Sequence, residues 1–203
     1  MASSFIMALL IPRLDSPGRD IDVYLCPLID ELRILWEPGV ETYDCMSIEK
    51  FNMRVALMLT VNDFPTYRYL SGWSTSGYKA CPTCMEDTTS VRLRDKVSYV
   101  DHRRFLPPEH PWRKSRDFNS KTKNRRAPIE CTGEDCLRQL ENVPSVFGKV
   151  GGKKRKRDSR NLNWTKRSIL FELPYWDKLL LRHNIDVMHV GKKTYVIIYW
   201  KQY

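Results

Sequence analysis

Six cysteines (Cys26, Cys45, Cys81, Cys84, Cys131, Cys136) and four histidines are the groups in this 203-residue chain best suited to hold a metal. Cys81-Pro82-Thr83-Cys84 has the two-residue gap that lets both thiolates reach one tetrahedral zinc ion. A complete site needs two more ligands. Cys131/Cys136, with four residues between, and His183/His189, with five, are the candidates. With the histidine pair the set would be Cys81, Cys84, His183 and His189, a structural Zn²⁺ site of S₂N₂ type; with the second cysteine pair it would be a Cys₄ site. A helical spacing of six would put the two histidines on different faces, so a bend must bring them together. Asp186 lies between them and could orient a ring by accepting its other N–H, or join His189 (i, i+3) as an alternative donor pair. The thiols are expected to stay reduced, because the N-terminal stretch lacks the basic start and small-residue cleavage site of a secretory signal.

The elements that must position these groups can be read from periodicity. Ser3 to Ile11 reads as a short buried strand ended by Pro12. Leu28, Leu32, Leu35 and Trp36 share a helical face, and that helix should stop at Glu37-Pro38-Gly39. The apolar run Val55 to Val61, followed by Asn62-Asp63-Phe64-Pro65, fits a strand buried on both faces with a carboxylate just past its end, a buried helix being the alternative. Residues 66–100 read as irregular, and Ile169 to Leu181 is again apolar and aromatic. No run approaches the roughly 18 apolar residues of a membrane span, so no membrane partner is expected.

Charge separates the chain into two parts. The formal net charge is +10, but residues 1–63 carry −5 and residues 64–203 carry +15. Two basic stretches stand out. One runs from Arg103 and Arg104 through Arg113 and Lys114 to Arg126, and the other is Lys153-Lys154-Arg155-Lys156-Arg157. Both read as exposed loop that could meet phosphate, because like charges repel and resist burial. The five-residue block could also act as a nuclear import signal, so the expected location is the nucleus. The division expected is a core over 1–72, a basic insertion with Cys-x-x-Cys over 73–165, and a return segment with the histidine pair over 166–203.

A series of short motifs adds a resemblance. It runs Ser16-Pro17-Gly18-Arg19-Asp20-Ile21-Asp22-Val23-Tyr24-Leu25, Leu35-Trp36-Glu37-Pro38-Gly39-Val40, Thr42-Tyr43-Asp44, Asn62-Asp63-Phe64-Pro65 and Leu70-Ser71-Gly72-Trp73-Ser74. Ala80-Cys81-Pro82-Thr83-Cys84, His102-Arg103-Arg104-Phe105-Leu106-Pro107, Phe171-Glu172-Leu173-Pro174-Tyr175-Trp176 and His183-Asn184-Ile185-Asp186-Val187-Met188-His189 complete it. In order and spacing these resemble plant CACTA-type (En/Spm) transposases over roughly residues 4–190.

The resemblance implies an α/β chain with a partial RNase H-like core, interrupted by a basic, zinc-stapled, largely irregular insertion. In that fold three acids hold two divalent ions, usually Mg²⁺, for phosphoryl transfer. It puts Asp63 in the place of the second catalytic acid, with Asp44 as runner-up. In related recombinases a Cys-x-x-Cys pair, a long insertion and a histidine pair follow the second acid, and 98 residues separate Cys84 from His183 in this chain. The implied partner is DNA, transposon ends in the family and any sequence for this chain, with self-association through an unpaired sheet edge as a second expectation.

Two departures accompany the matches. The family's Asp-Gly-Phe-Asn-Pro-Phe-Gly motif would precede Met1, and Gly191-Lys192-Lys193 stands where the family has Glu-Lys-Asn. The expectation drawn from them is a catalytically inactive transposase fragment that keeps DNA- and zinc-binding features, with any Mg²⁺ site not functional. The alternatives are a non-enzymatic zinc-dependent DNA- or partner-binding module, and a nuclease using Asp44, Asp63 and Glu172.

Overall fold

The computed structural model describes residues 9–11, 16–117, 121–143 and 163–186, in a mixed α/β arrangement with three two-stranded sheets. Leu9 and Leu10 are exposed and irregular, which corrects the buried strand expected to end at Ile11; residues 1–8 of it lie outside the described residues. Helix α1 spans Ile21–Trp36, about two turns earlier than the apolar spacing suggested. Its inward face is Asp22, Ile29 and Leu32, related by steps of seven and three. It ends as expected, with Gly39 at φ +72°.

The core joins distant parts of the chain. Ile29 and Leu32 of α1 pack with Ile169, Leu170, Leu173, Tyr175 and Trp176. The 169–176 segment runs as two short 3₁₀ turns, Ile169–Glu172 and Trp176–Lys178, on either side of Pro174. Asp22 is buried beside this core, and Lys166 Nζ reaches its carboxylate at 2.5 Å. Burial pushes the Asp22 carboxyl up and the Lys166 ammonium down, the cost of taking both groups from water. Their pairing locks the start of α1 to the returning chain.

Strands β1 (Val40–Asp44) and β2 (Glu49–Met53) form an antiparallel hairpin that lies largely in solvent. The apolar run that follows is not the expected seven-residue strand. Only β3, Thr60–Asn62, is extended and paired, and Met58 and Val61 are 62% exposed. Its neighbour, the parallel β6 (His183–Ile185), is three residues long, so among the described residues no second strand covers that run. Ala56 and Leu57 instead pack on the core, where the Leu57 N–H donates to the Tyr175 hydroxyl at 2.8 Å.

The stretch expected to be irregular is ordered. Helix α2, Phe64–Ser71, is capped by Asp63 and carries Pro65 in its first turn; β4 (Thr89–Arg92) and β5 (Val97–Val100) make a hairpin. Gly72 ends α2 at φ +83°, and a Cβ there would collide with the Lys166 carbonyl. That close approach is part of a clasp. Trp73 bridges to Trp164, with rings edge-to-face at 5.0 Å. The Ser74 N–H donates to the Asn163 carbonyl and the Thr165 N–H to the Gly72 carbonyl. Residues 74–163 therefore depart and return at one point.

Between those points lie a one-turn helix α3 (Pro111–Lys114) and helix α4 (Gly133–Leu140). Gly133 sits so close to the Asp177 carbonyl that a Cβ would overlap it, and α4 thus rests directly on the core segment. Among the described residues no helix is long and apolar enough to cross a membrane.

Candidate functional site

Parallel pairing of β3 with β6 brings together two of the sequence motifs. Thr60 faces His183, Val61 faces Asn184, and Asn62 faces Ile185. The Asp186 N–H then donates to the Asn62 carbonyl at 2.8 Å, so Asp63 and Asp186 both follow directly on the ends of adjacent strands. Asp63 is the N-cap of α2, its Oδ1 accepting the Thr66 N–H at 2.8 Å. Asp44 serves a turn instead. Its oxygens accept from the Met46 N–H and the Ser47 hydroxyl, and those bonds hold its pKa below the usual carboxylate range. Glu172 lies 4.0 Å from the Arg167 guanidinium.

His183 is packed edge-on by Tyr67 and Trp176, each ring 5.5 Å away. Its Nδ1 lies 2.7 Å from the Thr60 hydroxyl. Burial, helped by the neighbouring Arg182 charge, pushes its pKa down to about 4. The ring is therefore neutral at pH 7, the form a metal requires.

Cys81 and Cys84 occupy one tight turn: the Met85 N–H donates to the Cys81 carbonyl at 2.9 Å, and the Cys84 N–H to the Cys81 sulfur at 3.4 Å. The Arg104 guanidinium also hydrogen-bonds the Cys84 thiol. His189 lies outside the described residues. Among the described residues no three of His, Cys, Asp and Glu converge on one point, so Cys81, Cys84 and His183 do not form a closed set.

A second sulfur pair is in contact. Cys131 and Cys136 have their sulfurs 3.5 Å apart. Thr132 between them is the N-cap of α4 and forms a capping box with Asp135. Cys131 thereby falls at N′ and Cys136 at N4, the two positions that a helix start brings together as a staple. Thr132-Gly133-Glu134-Asp135 carried that signal in the sequence; spacing between cysteines alone did not. The hydrogen bond between the two sulfurs lowers the Cys131 pKa and raises that of Cys136. Both line a cleft of about 300 Å³ shared with Tyr67, Arg182 and His183.

The basic stretch departs most from expectation. Arg104 is 1% and Arg113 5% exposed, which corrects the reading of 103–126 as an exposed loop. Arg113 donates to the carbonyls of Lys123 (3.1 Å), Arg104 (3.0 Å), Leu106 (2.9 Å) and Arg125 (2.7 Å). Arg103 reaches the carbonyls of Trp112, Ser115 and Lys121, and Arg104 holds the Asp87 carboxylate at 2.8 Å and its carbonyl at 2.7 Å. Arginine tolerates this because its planar fork of five donors can satisfy several carbonyls at once. The guanidiniums of Arg103, Arg104 and Arg113 thus shape the loop, while Lys114, Arg116, Lys121 and Arg126 on the same stretch are exposed or partly so. Lys153, Lys154, Arg155, Lys156 and Arg157 lie outside the described residues.

A basic loop held in shape by internal arginines, joined to a strand pair that ends in carboxylates, belongs to the chemistry of proteins that act on nucleic acid. Residues 1–143 match the family model described as "Transposase family tnp2", which covers more than half of the chain. The chain belongs to that transposase family, and DNA is the family's general partner. No curated protein and no solved structure matches it.

Proposed function

We propose that this chain carries the part of a plant CACTA-type (En/Spm) transposase that grips DNA through its phosphate backbone, on an RNase H-like core interrupted after Gly72 by a basic insertion. The observation that carries this reading is the arginine-pinned loop of 103–126. A flexible run of like charges must lose conformational entropy on binding, whereas a loop already fixed by Arg103, Arg104 and Arg113 presents Lys114, Arg116, Lys121 and Arg126 at little further cost. Phosphate contacts of this kind give affinity without sequence preference. The block Lys153 to Arg157 adds to the same field and would direct the protein to the nucleus.

The test is binding to duplexes of unrelated sequence by fluorescence anisotropy across a salt series. Affinity should fall steeply with salt and differ little between sequences. Alanine at Lys114, Arg116, Lys121 and Arg126 together should flatten the salt slope by about 3–4 contacts' worth. Binding that ignores salt, or a slope unchanged in that variant, would overturn the reading.

Zinc would be held by Cys81 and Cys84 from their turn, with His183 and His189 arriving from the return segment. The neutral His183 ring and the single turn that carries both cysteines support this set. Purified protein should carry one zinc per chain by elemental analysis, lost in Cys81→Ser and retained in Cys131→Ser. The reverse pattern would reassign the site. For Mg²⁺ the fit is poor: Asp63 spends an oxygen on the Thr66 N–H, and no acidic triad surrounds it among the described residues. That arrangement supports no phosphoryl-transfer step.

A further inference from the structure

We propose that Cys131 and Cys136 form a reversible thiol–disulfide site on which a hydroperoxide acts, with Cys131 as the attacking sulfur. The pair stands on geometry set by α4 itself. The capping box of Thr132 and Asp135 fixes the first turn and holds the N′ and N4 side chains in contact, with sulfurs 3.5 Å apart. Closing to a bond requires about 1.5 Å of approach, within reach of side-chain rotation in a residue of the half-buried N′ position.

The surroundings distinguish the two sulfurs. Cys131 is half-buried and borders the 300 Å³ cleft, while Cys136 is 3% exposed at its floor. Trp164 Nε1–H donates to Gln139 Oε1 at 2.9 Å, which turns the Gln139 amide nitrogen toward the Cys131 sulfur, 3.7 Å away. Arg182 donates to the Cys131 carbonyl at 3.2 Å and to the Cys136 sulfur at 3.5 Å. The Arg182 guanidinium beside the Cys136 sulfur sets a fixed positive charge next to the pair, which opposes a metal cation in the same place. No third ligand from His, Cys, Asp or Glu converges on the pair among the described residues.

The step balances with hydrogen peroxide as oxidant. The Cys131 thiolate attacks one peroxide oxygen; an S–O bond forms, the O–O bond breaks, and the departing oxygen takes a proton and leaves as water. The Cys136 sulfur then displaces the hydroxyl from the Cys131 sulfenic acid. An S–S bond forms, the S–O bond breaks, and hydroxide leaves with the Cys136 proton as a second water. The two thiols lose two electrons and the peroxide gains them. The closed bridge removes the Cys136 sulfur as acceptor for Arg182, the residue next to His183, so the redox state would be felt at β6.

The test treats full-length protein with hydrogen peroxide and maps disulfides by peptide mass spectrometry. A Cys131–Cys136 bridge, two hydrogens lighter and reopened by dithiothreitol, is expected to dominate over bridges to Cys26, Cys45, Cys81 or Cys84. In Cys136→Ser, dimedone should label Cys131; in Cys131→Ser, Cys136 should stay unlabelled. The bridge in the unsubstituted protein keeps the test valid if either variant folds poorly. Three results would overturn the proposal. They are a Cys131 that survives peroxide as well as exposed Cys45, dimedone on Cys136 in its place, and protection of both thiols that a chelator removes, which would make the pair a metal site.

Discussion

Replacing Arg113 with alanine should destabilise the protein by about 3–5 kcal/mol, seen as a fall in the urea midpoint without a matching gain elsewhere. Four backbone carbonyls from three separate stretches, 104–106, 123 and 125, take their hydrogen bonds from this one buried guanidinium. Truncation would leave those oxygens facing an apolar void or would open the loop to water. Arg113→Lys should recover little, since an ammonium has three donors and no fork with which to reach carbonyls on several sides. Near-native stability in Arg113→Lys would show that charge, and not the fork, holds the loop. The same variants should weaken DNA binding even though Arg113 is buried, because the exposed lysines lose their fixed frame.

Acid should weaken the protein through His183. With chelator present, the folded-state pKa of about 4 lies below the ordinary 6.5. Below pH 6.5 the unfolded chain takes up a proton that the folded ring refuses until about pH 4, so stability falls as pH drops through that window and is flat above it. The loss amounts to roughly 2–3 kcal/mol when partial exposure is allowed for. The groups facing the ring are Tyr67, Trp176, Thr60 and Arg182, and of these only Arg182 is charged at these pH values. Asp22, raised by burial, acts in the opposite sense, gaining stability as pH falls through its own range. Urea titrations at pH 7 and pH 4.5 should therefore show a drop that His183→Gln removes. An equal drop in His183→Gln would assign the sensitivity elsewhere.

How much was legible in the sequence depended on whether the signal was local. The C-terminal end of α1 was readable because Glu37-Pro38-Gly39 stops a helix by its own backbone preferences. The start was not, because the apolar face that was read begins only at Leu28; Asp22 is tolerated inside only through Lys166, 144 residues away. The continuous apolar run Val55 to Val61 carries no period, so its length suggested a strand that pairing with β6 supports over only three residues.

The basic stretch was misread for a related reason. Charge counting assigns every cation to solvent, whereas Arg104 and Arg113 answer to carbonyls that only the folded loop brings near. Of the metal-binding candidates, the turn between Cys81 and Cys84 followed from their spacing. The contact between Cys131 and Cys136 follows from the cap of α4, a signal written in Thr132 and Asp135 and not in the cysteines.

The Trp73–Trp164 bridge has a bearing on how such elements diverge. Because the excursion from 74 to 163 begins and ends at neighbouring residues, its described residues meet the core at the two stems, where α4 sits on Asp177, and where Arg182 bonds Cys131 and Cys136. Lengthening a loop whose ends are already held costs only about 0.6 kcal/mol for each doubling. A change of length between those stems would thus leave the register of β3 and β6 undisturbed. Drift in length is cheap there, while a single residue added between Ile169 and Trp176 would shift every side chain that α1 packs against.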